Sequence, residues 1–326
     1  KYSRYMRLGM SQHFSRRPGK FAGSALASLA CSVIFLLPGC GGGGTQKAQN
    51  NAPSSGTMPQ SRHVVMVLEE NQSYASVVGN TSVWPNFNGL IQNGALATNY
   101  YADIHGSISD YFLLTTGQTL TNDDGSTKVW DVDNIARRML SAGVSFKVYA
   151  EGIKQGYLGG DNGNYVIRHD PFAMLSDVAN NPQVANAALM PFSQFGADVA
   201  SGSLPEFSFI VPDVSDDAHN GSPQQADSWL QSNIVAPLMN DKTFQAGGDG
   251  VLIVVFDESA PSDVANGGGH VAAVFWGPVV KAGYTQQSTF LYEHESMLHT
   301  IMMLLNLPNP PGAAAAAPTM GEFFAH

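Results

Sequence analysis

The stretch VLIVVFDES, from Val251 to Ser259, consists of six apolar residues followed directly by two carboxylates, Asp257 and Glu258. An unbroken apolar run rich in Val and Ile is typical of a strand that is buried on both faces, as in a parallel sheet. In open α/β sheets, ligands bind beyond the carboxyl ends of the strands. The stretch therefore predicts a central parallel strand that delivers two acidic side chains to a binding site.

A second apolar segment, near residue 63, ends in the same way. It reads HVVMVLEEN and closes on Glu69, Glu70 and Asn71. If the alternation of side chains continues to the end of the strand, Glu69 and Glu70 point to opposite faces, which favours a structural role for Glu69. Two buried strands that deliver oxygen atoms to one edge of a sheet indicate a cation site.

Strand-like and helix-like segments alternate along the rest of the chain, from residue 62 onward. This alternation predicts an α/β domain over residues 62–326, with a parallel or mixed sheet and helices on both faces. Residues 152–183 are polar and rich in glycine, and they are predicted to form an insertion beside the site. The predicted helices are 85–92, 134–141, 192–200, 226–239 and 294–305, and the predicted strands are 63–68, 95–101, 144–149, 207–211, 251–256 and 271–276.

The first 39 residues have the composition of a targeting segment. Six lysines and arginines precede an apolar stretch at 21–37, and Leu-Pro-Gly-Cys follows at 37–40. This order is typical of a secretory signal peptide, and its ending is similar to a bacterial lipobox. We therefore expect residues 1–39 to be a lipoprotein signal peptide, Cys40 to be lipidated, and the protein to be exported and anchored in the bacterial cell envelope. The alternative is an ordinary signal peptide with an incidental cysteine.

Residues 40–61 are rich in Gly, Ser, Asn and Pro, which predicts a flexible tether between the anchor and the domain. Without residues 1–39 the chain loses six positive charges and no negative ones, so its formal charge changes from −10 to −16. So acidic a domain is not expected to bind nucleic acid. Both cysteines, Cys31 and Cys40, precede the domain, so no disulfide is expected within it.

A third motif lies between the two acidic strand ends. Residues 101–111 read YADIHGSISDY and are followed by FLLTTGQT. With HVVMVLEENQSY before it and VVFDES after it, this motif resembles the bacterial phosphoesterase family of acid phosphatases and phospholipases C, a branch related to alkaline phosphatases. The resemblance extends from about Arg62 to the terminal segment 320–324. It implies an alkaline-phosphatase-like α/β sandwich with a mostly parallel central sheet, and hydrolysis of phosphate esters by a hydroxyl nucleophile at a metal ion.

The resemblance also implies roles for individual residues. Ser107 matches the nucleophile of the family's His-Pro-Ser-x-Pro-Asn-Tyr pattern, and His169 and His219 fall where catalytic, phosphate-contacting histidines are expected. The residues expected to bind the metal are Glu70, Asn71, Ser107, Asp257 and Glu258. Those expected to contact the substrate phosphate are His105, Asp110 and His270.

Three positions depart from the family pattern. Gly106 and Ser109 stand where the family has prolines, which relaxes the turn, and Asp110 stands where it has an asparagine. The last change replaces a neutral donor near the phosphate with an ionisable group. These departures keep one alternative open, a lipoprotein of the same fold that binds phosphorylated ligands or a partner without turnover.

The chemistry of the expected ligands indicates the kind of metal. Asp, Glu, Asn and hydroxyl groups form an all-oxygen set, which suits one hard divalent cation such as Ca²⁺, Mg²⁺ or Mn²⁺. A serine hydroxyl is a weak nucleophile at neutral pH, and coordination to a metal is one way to activate it. The expected route is attack by Ser107, formation of a phosphoserine, and hydrolysis by water with a histidine as acid or base.

Each assignment has a structural alternative. Ser109, Thr115 and Thr116 compete with Ser107, although the two threonines fit better as the start of a buried helix or as its capping residues. Among the histidines, the alternatives are a structural pair of His169 with Asp170, an orienting role for His105, a plain turn at His219, an ordinary loop at His270, and packing or capping for His294 and His299.

Two other hydrolase classes are disfavoured. A serine acyl hydrolase would carry a Gly-x-Ser-x-Gly elbow, and a sulfatase would carry a Cys/Ser-x-Pro-x-Arg sequence; the chain has neither. The expected partner is a phosphate-ester substrate, with a phospholipid as one candidate. The sequence does not distinguish a monoester from a phospholipid headgroup.

Overall fold

The structure, a computed structural model, describes residues 58–325. The predicted signal peptide, the lipidated Cys40 and most of the predicted tether lie outside these residues. Among the described residues, no helix is both long enough and apolar enough to cross a membrane.

The strands and helices alternate as predicted. The strands are β1 (Val64–Glu69), β2 (Ala95–Ala97), β3 (Tyr101–Ala102), β4 (Phe146–Ala150), β5 (Leu189–Pro191), β6 (Phe207–Val211), β7 (Val251–Phe256), β8 (Gly269–His270), β9 (Ala273–Trp276) and β10 (Tyr284–Thr285). The helices are α1 (Tyr74–Val77), α2 (Pro85–Asn93), α3 (Ser107–Thr116), α4 (Ile135–Ala142), α5 (Ser176–Ala179), α6 (Pro182–Ala188), α7 (Ser193–Ser201), α8 (Pro223–Leu230), α9 (Ala236–Met239) and α10 (His294–Leu304).

One large sheet organises the domain. It has eight strands in the order β10-β2-β9-β7-β1-β6-β4-β5. The pairs from β7 to β5 are all parallel, and β9 is antiparallel to both β7 and β2. The prediction of an α/β fold with a mostly parallel central sheet is confirmed. Strands β3 and β8 form a separate antiparallel pair.

The centre of the sheet explains how the acidic motifs meet. Strand β1 lies between β6 and β7, and Glu69 is in register with Phe256. Every residue of these three strands is buried, as expected for a strand covered on both faces. Because parallel strands end at the same edge, the residues that follow β1, β6 and β7 leave the sheet side by side.

Helix α3 differs from the sequence prediction. It begins at Ser107 and ends at Thr116, and all ten of its residues are buried. Thr115 and Thr116 were expected to start or cap a helix, but they end this one, with Gly117 as the left-handed C-terminal residue. Their hydroxyls donate to backbone carbonyls one turn earlier in the same helix, which leaves Ser107 and Ser109 as the hydroxyls near its start.

Some predicted boundaries also differ. The predicted strand 95–101 is divided between β2 and β3, and the predicted helix 226–239 is α8 and α9 joined by a π-helical turn at Gln231–Val235. The predicted insertion contains two 3-10 turns, Ile167–His169 and Pro171–Met174, followed by α5. It therefore carries structure of its own, and it positions His169 beside the site.

Candidate active site

The loop before α3 fixes the position of Ser107. Gly106 precedes the helix with a φ of 129°, and a Cβ at this position would lie 1.9 Å from Asn122 Oδ1. A proline, whose ring holds φ near −65°, could not adopt this backbone. The departure from the family pattern at Gly106 is therefore tied to a turn that glycine alone accommodates easily.

Glu70 is the hub of the site. Its Oε2 accepts hydrogen bonds from Ser107 Oγ at 3.0 Å and from Asn71 Nδ2 at 2.9 Å, and its Oε1 accepts from the Tyr111 hydroxyl at 2.8 Å. Burial, together with the nearby carboxylate of Asp217, raises the pKa of Glu70 to about 8. The two motifs predicted to share a site thus meet through hydrogen bonds to one carboxylate.

Asp257 connects the end of β7 to the same hub. Its Oδ1 accepts a hydrogen bond from the Asn71 backbone N–H at 3.0 Å, across 186 positions of the chain. Asn71 adopts a left-handed backbone with φ 58° to make this contact, a conformation that Asn tolerates better than most residues. Burial and the neighbouring Glu70 raise the pKa of Asp257 well above its ordinary value.

Glu69, adjacent to the hub, has a different environment. It is fully buried, and neither of its carboxylate oxygens has a hydrogen-bond partner among residues 58–325. Burial, followed by repulsion from Asp217, raises its pKa well above the ordinary value. Glu69 therefore does not contribute to the hydrogen bonds that join Glu70 to Ser107.

Glu258 and His105 hold the loop that precedes Ser107. Glu258 Oε2 lies 2.5 Å from His105 Nδ1 and accepts from the Gly106 N–H at 3.0 Å, while His105 Nε2 lies 2.8 Å from the Asp263 carbonyl oxygen. Burial lowers the pKa of His105, but Asp263 and Glu258 outweigh this effect and raise it overall. Both ring nitrogens are engaged within the protein, which favours the orienting role over contact with phosphate.

His169 and His219 come together on the other side of Glu70. His169 Nε2 lies 3.0 Å from Glu70 Oε1 and its Nδ1 lies 3.2 Å from Asp217 Oδ2, although neither contact has hydrogen-bond geometry. The His219 ring centroid is 5.8 Å from that of His169, and Arg168 Nη2 is 3.1 Å from His219 Nε2. The structure thus brings both predicted histidines to the hub, together with an arginine.

The alternative pairing of His169 with Asp170 is not observed. Asp170 Oδ2 accepts from the Tyr165 hydroxyl at 3.1 Å, and its Oδ1 accepts from the Ala173 N–H at 3.2 Å. Asp170 therefore stabilises the 3-10 turn that follows it, and His169 is left to face Glu70 and Asp217.

Asp110 lies in the first turn of α3, against His294. Asp110 is fully buried, and its Oδ1 is 3.3 Å from His294 Nε2. The same Nε2 lies 2.6 Å from the Asp257 carbonyl oxygen, and His294 Nδ1 lies 2.9 Å from the Tyr100 hydroxyl. Burial lowers the pKa of His294, but Asp110 raises it to about 9 overall. A cationic partner therefore offsets the charge that replaces the family's asparagine, and His294 does more than the packing that was expected of it.

His270 lies at an aromatic cluster near the loop. Its ring stacks on Tyr74 at 4.1 Å and on Tyr101 at 4.7 Å between centroids, and its Nε2 lies 3.1 Å from the Thr98 carbonyl oxygen. It has no contact with the Glu70 hub among the hydrogen bonds of the described residues. The structure does not bring His270 together with the other predicted site residues.

The donor atoms around Glu70 fit a divalent cation. Oxygens of Glu70, Ser107 and Asp257 come together through the hydrogen bonds given above, with the Asn71 side-chain amide donating to Glu70 beside them. Asp257 Oδ2 is buried without a partner among residues 58–325. Several buried carboxylates close together are costly unless a positive charge offsets them. Ligand atoms of Glu70, His169 and His219 also lie within 4.8 Å of one another. This second set adds imidazole nitrogens to the expected oxygens, and imidazole broadens the range of suitable metals to include zinc and iron.

Four residues of the site were missed in the sequence: Tyr111, Arg168, Asp217 and His294. Tyr111 carries the last position of the family pattern, and Arg168 and Asp217 lie within two positions of predicted histidines. Proximity to a predicted residue could have marked these three. His294 had no such signal, because its contacts with Asp110 and the Asp257 backbone depend on the tertiary packing of α10.

Sequence comparisons find related proteins over most of the chain. The model of the Phosphoesterase family matches residues 82–308. The chain is 31% identical over 299 residues to the phosphatidylinositol-3-phosphatase of Mycobacterium tuberculosis, covering 91% of this chain and 90% of that protein. It is 28% identical to an acid phosphatase of Aspergillus fumigatus, of which it covers 51%, and 28% identical to a probable acid phosphatase of Kluyveromyces lactis, of which it covers 58%. The chain thus spans just over half the length of these two fungal relatives.

Structural comparisons identify the fold. A protein of the alkaline phosphatase superfamily from Vibrio parahaemolyticus superposes with a TM-score of 0.53 at 15% identity, covering 78% of this chain and 68% of that one. A phosphonate monoester hydrolase from Silicibacter pomeroyi superposes with a TM-score of 0.51 at 11% identity, covering 80% and 76%. At these identities the likeness establishes the fold alone, which is alkaline-phosphatase-like as predicted.

Proposed function

Since this chain belongs to the phosphoesterase family and is a hydrolase that acts on phosphate esters, we propose that Ser107 is its nucleophile. The observation that carries this proposal is the position of the Ser107 hydroxyl, 3.0 Å from Glu70 Oε2 and at the first residue of α3. A helix N-terminus favours negative charge, as on an approaching phosphate and on an attacking oxygen. The fixed turn at Gly106 holds the hydroxyl in this place.

The proposal includes a divalent cation held by Glu70, Asn71, Ser107 and Asp257, with His169 and His219 within reach of the same region. The support is the set of buried, partly unpaired oxygens around Glu70. When bound, such a cation favours the deprotonated hydroxyl and neutralises charge on phosphoryl oxygens. Glu258 contributes by holding the His105–Gly106 turn.

The chain's own residues then account for two steps. Ser107 Oγ attacks phosphorus, the bond from phosphorus to the ester oxygen breaks, and the proton that the Ser107 hydroxyl gives up leaves with the alcohol. Water next attacks the phosphoserine, which releases phosphate and restores the Ser107 hydroxyl. His219 Nε2 is the proposed proton acceptor for that water, since Nε2 accepts a hydrogen bond from Arg168 while Nδ1 donates to Asn220 Oδ1.

Replacement of two neighbouring serines tests the nucleophile. Ser107→Ala should lower kcat/KM for p-nitrophenyl phosphate by at least about a thousandfold, because the whole covalent route is lost. Ser109→Ala is the matched control, since Ser109 Oγ donates to the Thr121 carbonyl oxygen at 2.6 Å, and it should stay within about tenfold of wild type. A phosphoserine trapped by acid quenching should map to Ser107. Full activity in Ser107→Ala, or a label on Ser109, would refute the assignment.

Thermal unfolding tests the cation without relying on activity. Wild-type protein treated with a chelator should gain about 3 kcal/mol of stability when a divalent metal is added at a hundred times its Kd. Asp257→Asn should lose most of this gain, because it removes one negative charge from the buried set. If Ca²⁺, Mg²⁺, Mn²⁺ and Zn²⁺ all fail to stabilise the protein, and chelation leaves turnover intact, then the cation is not part of the site.

The cellular setting is proposed from the sequence alone. We propose that the protein is exported and anchored to the bacterial envelope through Cys40, with residues 40–61 as the tether. The basic and apolar segments before Leu-Pro-Gly-Cys support this proposal. Acyl labelling should disappear in Cys40→Ala, and labelling that persists would contradict it.

The name of the mycobacterial relative suggests a lipid substrate as well. Phosphatidylinositol 3-phosphate is therefore one candidate substrate. The diester of a phospholipid such as phosphatidylcholine, which a phospholipase C hydrolyses, is another. A parallel assay of phosphatidylinositol 3-phosphate and phosphatidylcholine in the same vesicles would separate them.

A further inference from the structure

Arg168 makes an unusual contact at the edge of the Glu70 hub. Its Nη2 lies 3.1 Å from His219 Nε2, and His219 Nδ1 lies 3.0 Å from Asn220 Oδ1. A guanidinium can only donate, and an amide oxygen can only accept. Arg168 therefore donates to His219 Nε2, and His219 Nδ1 donates to Asn220 Oδ1.

Arg168 is not paired with a carboxylate in the part of the chain that the structure describes. Within residues 58–325, the salt bridges of the structure do not include Arg168. The cluster beside it contains Glu70 and Asp217, both fully buried. An arginine keeps its positive charge at every physiological pH. Its hydrogen bond to the His219 imidazole is weaker than one to an anion would be, so an anionic ligand can displace it.

The shape of the guanidinium matches a phosphoryl group. Its parallel N–H groups can bind two oxygens of one phosphate at once. A monoester has three terminal oxygens and two negative charges above a pH of about 6, whereas a diester has two such oxygens and one charge. In a site rich in carboxylates, the second charge of a monoester requires an additional cation.

We propose that Arg168 binds the phosphoryl group of the substrate and makes the enzyme selective for dianionic phosphate monoesters over diesters. This inference rests on the proposed function of the Ser107 site. When the substrate binds, Arg168 gives up its hydrogen bond to His219 Nε2 and donates to phosphoryl oxygens instead. His219 Nε2 is then free to accept a proton from water. The phospholipase C type of activity, which cleaves a diester, is then the disfavoured alternative.

Substitution of Arg168 tests the selectivity. Wild type should hydrolyse p-nitrophenyl phosphate with a higher kcat/KM than bis(p-nitrophenyl) phosphate. Arg168→Gln should lower kcat/KM for the monoester by about a hundredfold, as for the loss of one charged donor to the reacting group, and for the diester by less than about tenfold. Arg168→Lys should recover part of the monoester activity, because it keeps the charge but not the paired donors. Equal losses for both esters, or a wild type that prefers the diester, would overturn the proposal.

The matched control is Arg62→Gln. Arg62 precedes β1 at the opposite end of that strand, and it forms an exposed ion pair with Glu206 at 3.3 Å. The same chemical change there should leave the activity on both esters within about twofold of wild type.

Binding of inorganic phosphate separates this inference from the proposed function. Calorimetric titration needs no turnover, and Arg168→Gln should weaken phosphate binding at pH 8 by about tenfold or more relative to Arg62→Gln. If wild type hydrolyses neither ester, the proposed function fails, whereas weaker phosphate binding in Arg168→Gln would still support the role of Arg168. If Arg168→Gln binds phosphate as tightly as wild type, the role of Arg168 is refuted whatever the turnover.

Discussion

Replacement of Tyr111 by phenylalanine tests whether the Tyr111 hydroxyl positions Glu70 for reaction. The variant should lose both stability and activity, whereas a matched control should lose stability alone. The Tyr111 hydroxyl donates to Glu70 Oε1 at 2.8 Å, and its ring stacks on His169 at 4.9 Å between centroids with an interplanar angle of 6°. Tyr111→Phe removes one oxygen and keeps the stacked ring. One carboxylate oxygen of the hub then loses its hydroxyl donor.

The magnitude follows from the burial of both partners. Tyr111 is 1% exposed and Glu70 is fully buried, so water cannot easily replace the lost donor. Leaving a buried acceptor without its donor in such a place costs about 1.5–3 kcal/mol. For a domain of this size that corresponds to a fall in Tm of roughly 3–12 °C. If the same free energy also orients Glu70 for reaction, kcat/KM should fall by about 10- to 100-fold.

Tyr149→Phe is the matched control. The Tyr149 hydroxyl donates to a carboxylate oxygen of Asp198 at 2.6 Å, and both side chains are buried on β4 and α7. Its stability loss should be similar, while p-nitrophenyl phosphate turnover should stay within about twofold of wild type. Thermal unfolding and steady-state kinetics measure the two effects on the same samples. If Tyr111→Phe keeps full activity, or if both variants lose activity equally, then Tyr111 does not position Glu70.

Two further changes test the loop and the C-terminal segment. Gly106→Ala should lower activity by more than about tenfold, because the new Cβ would meet Asn122 Oδ1 and strain a backbone with positive φ; unchanged kinetics would show that the turn is not needed. Burial raises the pKa of Glu322, but hydrogen bonds from Ser288, Tyr292 and Tyr284 lower it overall. The hydrogen bonds to the ionised Glu322 carboxylate therefore stabilise the folded state at neutral pH. This stabilisation is lost as pH falls through the lowered folded-state pKa of Glu322. Glu322→Gln should lower the free energy of unfolding by about 1–2 kcal/mol at pH 7 and by less in acid. Urea titrations measure this loss, and a loss that does not change with pH would contradict the prediction.

The fold was predictable because its central strands are buried on both faces. The apolar runs of β1 and β7 end on acidic residues, and this pattern alone placed two carboxylate pairs at one edge of the sheet. Helix α3 was harder to predict, because all ten of its residues are buried and its sequence has no polar face. An amphipathic period, the usual signal of a surface helix, is absent from such a segment.

The site was predictable where its residues are close together in the sequence and form short motifs. Glu70, Asn71, Ser107 and Asp257 all belong to short motifs, and the structure joins them by hydrogen bonds. The partners of Asp110 could not be foreseen in this way. Its contact with His294 spans 184 positions, and it depends on how α10 packs against α3.

The pairing of β1 with strands far along the chain affects how the enzyme matures. Val64 pairs with Phe207 on one side and with Val251 on the other, so these contacts have high contact order and are expected to form slowly. A ribosome must therefore have made the chain as far as β7 before Glu70 can meet Asp257. Catalytic competence thus arises late in biosynthesis, and a nascent chain that lacks β7 would have no means of assembling the centre.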